Sequence, residues 1–184
     1  MPSSLKDVSL ALDRTPFHAP ASASRLGELV WQRALEQPQA LAYAWLDETG
    51  AIARSWTYAG LLESITPLVA ALQSLAAPGE RVVLAFEGGP DSVECFWASL
   101  VAGLVPVPAP APERRLGARG WERLQAIAQD AQAVLGVFPQ GEGDALPAPA
   151  SARWISSTAL RALAQSASRL ETVPLQAEPQ APAY

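Results

Sequence analysis

Along the chain the apolar positions change period several times, and each change marks an element. Leu26, Leu29, Val30 and Ala34 recur at helical spacing from Arg25 to near Gln37, with Ser24 placed to cap and Pro38 just beyond. Ala40 to Leu46 and Ala51 to Trp56 read as strands joined by Asp47-Glu48-Thr49-Gly50, a β-hairpin. Thr57 caps a second helix whose stripe is Tyr58, Leu61, Leu62, Ile65, Val69 and Leu72. Pro67 lies inside that stripe and should kink or split the helix, because it has no amide hydrogen and crowds the preceding turn. Pro78-Gly79 ends the segment.

Arg81 to Phe86 is nearly all apolar and β-branched, the composition of a strand covered on both faces. Glu87-Gly88-Gly89 turns the chain into a helix with Pro90 at its first position and Val93, Phe96, Trp97, Leu100 and Val101 as the expected buried face. Gly103 stops it, and Leu104 to Val107 is the next apolar run. This strand–helix–strand unit predicts two parallel strands and a right-handed crossover. The alternating prolines 106, 108, 110 and 112 exclude a central strand and favour an extended polyproline path. A second unit follows, with a helix on Leu124, Ile127, Ala128 and Ala131 and a strand over Ala133 to Phe138. After a Gly/Pro/Ala loop from Gln140 to Ala152, Trp154-Ile155 reads as a short strand. Ser156 or Ser157 then caps a last helix carrying Leu160, Leu163, Ala164 and Ala167. The expected class is α/β, a partly parallel sheet flanked by helices with an N-terminal β-hairpin. Residues 1–23 look like a loose leader, and residues 172–184 form an unpatterned Pro- and Gln-rich tail.

Composition narrows the function classes. With 184 residues, 49% hydrophobic and 17% charged, the chain has enough apolar material for one real core. A net charge of −5 argues against nucleic-acid binding, which needs clustered cations; Arg114-Arg115 is a loop pair among Pro and Gly. Cys95 is the single cysteine, so neither a disulfide framework nor a cysteine zinc site can form. No secretory signal or membrane-length apolar run is present, and a cytoplasmic location is expected.

Candidate chemistry is sparse. His18, the one histidine, lies in the leader without neighbouring partners. Cys95 reads as a small buried hydrophobe. The Glu87-Gly88-Gly89-Pro90 turn joins a buried strand to a helix N-terminus, where anions are favoured, yet it matches neither phosphate-loop motif and carries a glutamate where a phosphate would sit. A plain turn is the favoured reading. Asp47 with Glu48 belongs to the hairpin turn, and Asp91 with Glu94 to a helix's first turn. Of the six tryptophans, most should be core or interface.

Trp56-Thr57-Tyr58, Pro78-Gly79-Glu80-Arg81-Val82, Phe96 through Gly103 with Val105-Pro106-Val107-Pro108, and Arg123-Leu124-Gln125-Ala126-Ile127-Ala128-Gln129-Asp130-Ala131 appear in that order. In this stretch the chain resembles the N-terminal region of fatty acyl-AMP ligases, within the adenylate-forming (AMP-dependent synthetase/ligase) superfamily. The resemblance implies that residues 24–171 are part of that family's N-terminal subdomain. It implies a reaction in which a fatty acid carboxylate attacks the α-phosphate of ATP, with Mg2+, to give an acyl-adenylate and pyrophosphate. An acyl carrier protein, often on a polyketide or peptide synthase line, would receive the acyl group. The family's Gly/Ser/Thr phosphate loop follows a Pro-Ala-aromatic tripeptide, and here Pro182-Ala183-Tyr184 are the last residues. Its ribose-binding Asp and catalytic Lys also lie further on, as does most of the acyl tunnel. No residue is therefore assigned a catalytic, cofactor-binding or metal-binding role, and the expectation is a segment inactive alone that works with the remaining part of the ligase. The alternative expectation is a binding or scaffolding module that kept the fold and lost the chemistry. A small nucleotide-binding domain, resting on Gly88-Gly89 alone, is a third.

Overall fold

The computed structural model of the chain describes residues 26–112, 118–139 and 152–167, with residues 118 and 167 described by their backbone alone. The leader, His18, the Ser24 cap, Arg114-Arg115, residues 140–151 of the expected loop and the tail from 172 lie outside the described residues.

Helix α1 (Leu26–Glu36) buries Gly27, Val30 and Ala34. Gly27 has no room for a side chain, because an added Cβ would stand 2.6 Å from the Leu100 carbonyl oxygen. Strands β1 (Leu41–Leu46) and β2 (Ile52–Thr57) pair antiparallel as a separate two-stranded sheet. Their turn is organised by Asp47, whose carboxylate accepts from the Thr49 amide (2.8 Å), the Thr49 hydroxyl (2.6 Å) and the Ala51 amide (3.0 Å). Thr57 ends β2 and caps helix α2 (Tyr58–Gln73), its hydroxyl accepting from the Gly60 amide at 3.1 Å.

Helix α2 runs unbroken through Pro67, contrary to a split at that residue. The carbonyl that Pro67 leaves without its usual donor belongs to Glu63, which is exposed and can meet water. One residue earlier, the Thr66 hydroxyl donates to the Leu62 carbonyl at 2.7 Å. Leu61, Ile65, Leu68 and Leu72 carry the buried face, so the proline is held in place by packing on both sides of it.

The main sheet has β3 (Arg81–Ala85), β4 (Val105–Ala109), β5 (Leu135–Phe138) and β6 (Arg153–Ser156), all parallel, in the order β4-β3-β5-β6. The period-2 alternation of β3 divides the core. Val82, Leu84 and Phe86 face the larger cluster under α1, α2, helix α3 (Pro90–Val101) and helix α5 (Ser157–Ala167). Val83 and Ala85 face the smaller cluster under helix α4 (Ala118–Asp130), with Trp121, Leu124 and Ala128. On that side Trp121 meets Phe138 and Trp154 edge-on, with ring centroids 5.6 Å and 5.4 Å away. Trp154 lies across Gly136, where any Cβ would collide with its ring.

The proline run departs from a polyproline path. Residues 105–109 are a genuine parallel strand, at the sheet's edge. The Val105 amide donates to the Glu80 carbonyl at 2.9 Å and the Ala109 carbonyl accepts from Phe86 at 3.1 Å, so the odd-numbered residues face β3. Pro106 and Pro108 face the open edge, where a missing N–H costs nothing and discourages another strand.

The α3 face also departs from expectation. Fully buried are Glu94, Cys95, Ala98, Ser99 and Val101, whereas Val93, Phe96 and Trp97 are half-buried on its flank. Small residues let α3 lie close to the sheet, and the large ones are displaced toward the hairpin and the strand ends. The Ser156 hydroxyl accepts from the Ala159 amide at 3.1 Å, which makes Ser156 the α5 cap.

Candidate functional site

Strands β3 and β4 are neighbours, and the helices that follow them lie on opposite faces of the sheet. The strand order reverses, however, between β3 and β5, and it is there that open α/β sheets usually place a ligand. A cleft of about 170 Å³ lies on the other side of β3, between Phe86 of the β3 end, Pro108 and Ala109 of β4, and Val93, Phe96 and Trp97 of α3. Gly88 (φ 114°) and Gly89 (φ 106°) make the turn beside it, a backbone region that glycine adopts without strain. Trp45, 41% exposed, leans from the hairpin toward Gly88, at 3.8 Å from where a Cβ there would stand.

Tyr43 of β1 closes the hairpin side of this cleft, with its hydroxyl accepting from Trp97 Nε1 at 2.8 Å. A second cleft of about 190 Å³ lies behind the same two rings, between α1, β1 and α2, with Leu29, Arg33, Ala42 and Tyr58 in its lining. Tyr43 and Trp97 thus form a wall common to both clefts.

Beside the clefts is a charged cluster that periodicity gives no sign of. Glu94, read as a first-turn residue, has a side chain only 1% exposed. It accepts from Arg54 of β2 at 3.2 Å and from Arg161 of α5, and Arg161 also reaches Asp91 at 2.9 Å. Arg54 lies over the Trp56 ring, 4.4 Å from its centroid. Burial works to lower the Arg161 pKa, but the hydrogen bond and charge of Glu94, with Asp91, outweigh it and raise the value. Two cations around one buried carboxylate leave no spare base, so the cluster fastens hairpin, α3 and α5 together.

The other sequence candidates resolve simply. Burial pushes the Cys95 thiol up to about 12, which leaves it protonated and unreactive at neutral pH. Asp47 is held below its ordinary value, first by the Thr49 hydroxyl and then by turn amides. Trp56 and Trp121 are core, Trp31 and Trp45 are exposed. Among the described residues no three His, Cys, Asp or Glu side chains cluster to hold a metal ion. Among them, too, no helix is long and apolar enough to cross a membrane.

The architecture is that of the N-terminal subdomain of adenylate-forming enzymes. A solved fatty acyl-adenylate ligase, from work on the E. coli and L. pneumophila enzymes, superposes with a TM-score of 0.71 at 24% identity, over 87% of this chain and 29% of its own. The N-terminal domain of FACL13 from Mycobacterium tuberculosis superposes at 0.60 and 21% identity, over 87% and 38%. In sequence the chain is similar to fatty acyl-AMP ligases. It is 32% identical over 110 residues to the medium-chain-fatty-acid–[acyl-carrier-protein] ligase JamA of Moorena producens, covering 60% of this chain and 19% of JamA. It is 31% identical over 98 residues to the long-chain-fatty-acid–AMP ligase FadD23 of M. tuberculosis, covering 52% and 16%. The chain therefore spans less than a fifth of the length of these relatives. No family model matches it.

Proposed function

We propose that the chain is the N-terminal part of a fatty acyl-AMP ligase that activates a fatty acid with ATP and passes the acyl group to an acyl carrier protein. The observation that carries this reading is the conjunction of sequence similarity to acyl-AMP ligases with the fold of their N-terminal subdomain. JamA, described as an acyl-carrier-protein ligase, supports the choice of acceptor.

In the complete protein a carboxylate oxygen of the fatty acid attacks the α-phosphorus of ATP. The bond to the β-phosphate oxygen breaks, and acyl-adenylate and pyrophosphate result. The carrier thiol then displaces AMP. Mg2+ bound with the ATP would supply charge to offset that of the phosphates. Residues 24–171 supply the subdomain, 1–23 a leader, and 172–184 a linker toward the phosphate loop. None of these residues takes a catalytic, nucleotide-holding or metal-holding role, and the segment is inactive alone. The complete enzyme works in the cytoplasm, on a polyketide or nonribosomal peptide line.

The coding sequence beyond Tyr184 tests the reading. A continuing frame that encodes a Gly/Ser/Thr-rich phosphate loop is expected. A stop codon at that point would favour a binding or scaffolding module instead.

A further inference from the structure

The cleft between α1, β1 and α2 has the size of one aromatic side chain. It encloses about 190 Å³, and an apolar cavity of about 150 Å³ already holds a benzene ring. Three rings line it, those of Tyr43, Tyr58 and Trp97, and edge-to-face or offset packing of a further ring on them adds to plain area burial. Arg33 is the charged residue of the lining, and beside the neighbour it holds its planar guanidinium can stack on a ring. Leu26, the first residue of α1, is also in the lining, so the chain enters α1 at the cleft. Residues 1–25, which precede it, hold one aromatic residue, Phe17. Phe17 stands nine positions before Leu26, and nine residues reach about 30 Å, ample for a turn back into the cleft. Pro16 and Pro20 bracket it, and their fixed φ lowers the entropy lost on docking. From Thr15 to Ser24 the chain has no Asp, Glu, Lys or Arg, so it can cover an apolar mouth without taking such a charge out of water.

We propose that residues 15–25 fold back as a strap over this cleft, with the Phe17 ring seated among Tyr43, Tyr58 and Trp97. The occupant is a side chain of the chain itself. No wall has to move. The Tyr43–Trp97 hydrogen bond and the ion pairs of Glu94 with Arg54 and Arg161 stay in place. The strap adds a second tie between the hairpin and the helices, on the side away from those ion pairs' carboxylate. The inference stands on the cleft and on the sequence that leads into it, and not on the proposed reaction.

Limited trypsin digestion of the 184-residue chain, timed by mass spectrometry, tests it. Trypsin can cut after Arg14 and after Arg25, at the two ends of the strap. Phe17→Ala should speed the cut after Arg25 by about tenfold or more, because exposing one buried ring raises the population of the open form. The cut after Lys6 should keep its rate. Leu29→Phe fills the cleft from α1 and should release the strap to the same extent. Ala42→Leu serves the same purpose from β1 if that variant does not fold, as judged by circular dichroism. Phe17→p-azidophenylalanine places a photoreactive ring at the same position. Irradiation should crosslink it within one chain to residues of α1, β1 or α2 that line the cleft. Equal cleavage after Arg25 in Phe17→Ala and wild type, or crosslinks that fall on other faces or on a second copy, would overturn the proposal.

Discussion

Replacing Glu94 by Gln keeps the side-chain volume and removes the charge that two arginines share. The carboxylate is 1% exposed, so its loss leaves Arg54 and Arg161 facing a neutral amide in a nearly dry site. Breaking a fully buried ion pair costs about 3–5 kcal/mol. Here the arginine side chains keep 46% and 34% exposure and can recover water, and Asp91 still holds Arg161. The expected cost is therefore about 2–3 kcal/mol, close to that of lost hydrogen bonds to a charged group. For a chain of this size that lowers Tm by roughly 4–12 °C. The assay is urea unfolding of both proteins, followed by tryptophan fluorescence and circular dichroism, with the slope m compared before the midpoints. A double-mutant cycle with Arg161→Gln should return a coupling of about 1–3 kcal/mol, because the two residues act as one unit. A Glu94→Gln protein within about 0.5 kcal/mol of wild type, the range of an ordinary surface change, would refute the cluster as a fastening of hairpin to helices.

Other outcomes follow from single contacts. Gly136→Ala drives a methyl group into the Trp154 ring and should destabilise by about 1–3 kcal/mol, read as a lower urea midpoint. Thr57→Ala removes the cap on the Gly60 amide, at a cost of about 1 kcal/mol in the same assay. Cys95, raised from its ordinary 9.0 to about 12, binds its proton more tightly folded than unfolded. Its contribution to stability is therefore complete below pH 9 and is lost as pH rises toward 12, a decline that Cys95→Ala should lessen. The same thiol should react with a disulfide reagent only as the chain unfolds.

The order of elements was legible because each kept an unbroken local period. Arg81 to Phe86 reads as a doubly covered strand and is one, with Val83 and Ala85 on one face and Val82 and Leu84 on the other. Thr57 reads as a cap and acts as one. The misreadings arose where distant parts of the chain decide. Glu94 is buried only because Arg54, forty positions before it, and Arg161, sixty-seven after it, converge on one carboxylate. Val93, Phe96 and Trp97 look like a core face by size, but the sheet accepts the small face with Cys95 and Ala98 instead. Pro67 stays inside α2 because packing holds both flanks, and Pro106 and Pro108 fit a strand because their positions face the open edge. The clefts could not be found by motif. Tyr43 and Trp97 meet across fifty-four positions, and the pairing of β4 with β3 brings Pro108 and Ala109 to the cleft they border.

The central claim is that this segment is a structural part of an acyl-adenylate-forming enzyme and is not itself the catalyst. ATP–pyrophosphate exchange with a panel of fatty acids measures it most directly, on the 184-residue chain alone and on the product of the full reading frame that carries it. The account predicts no exchange from the chain alone and fatty-acid-dependent exchange from the complete product. Robust exchange from the chain alone, or none from a folded complete product, would contradict it.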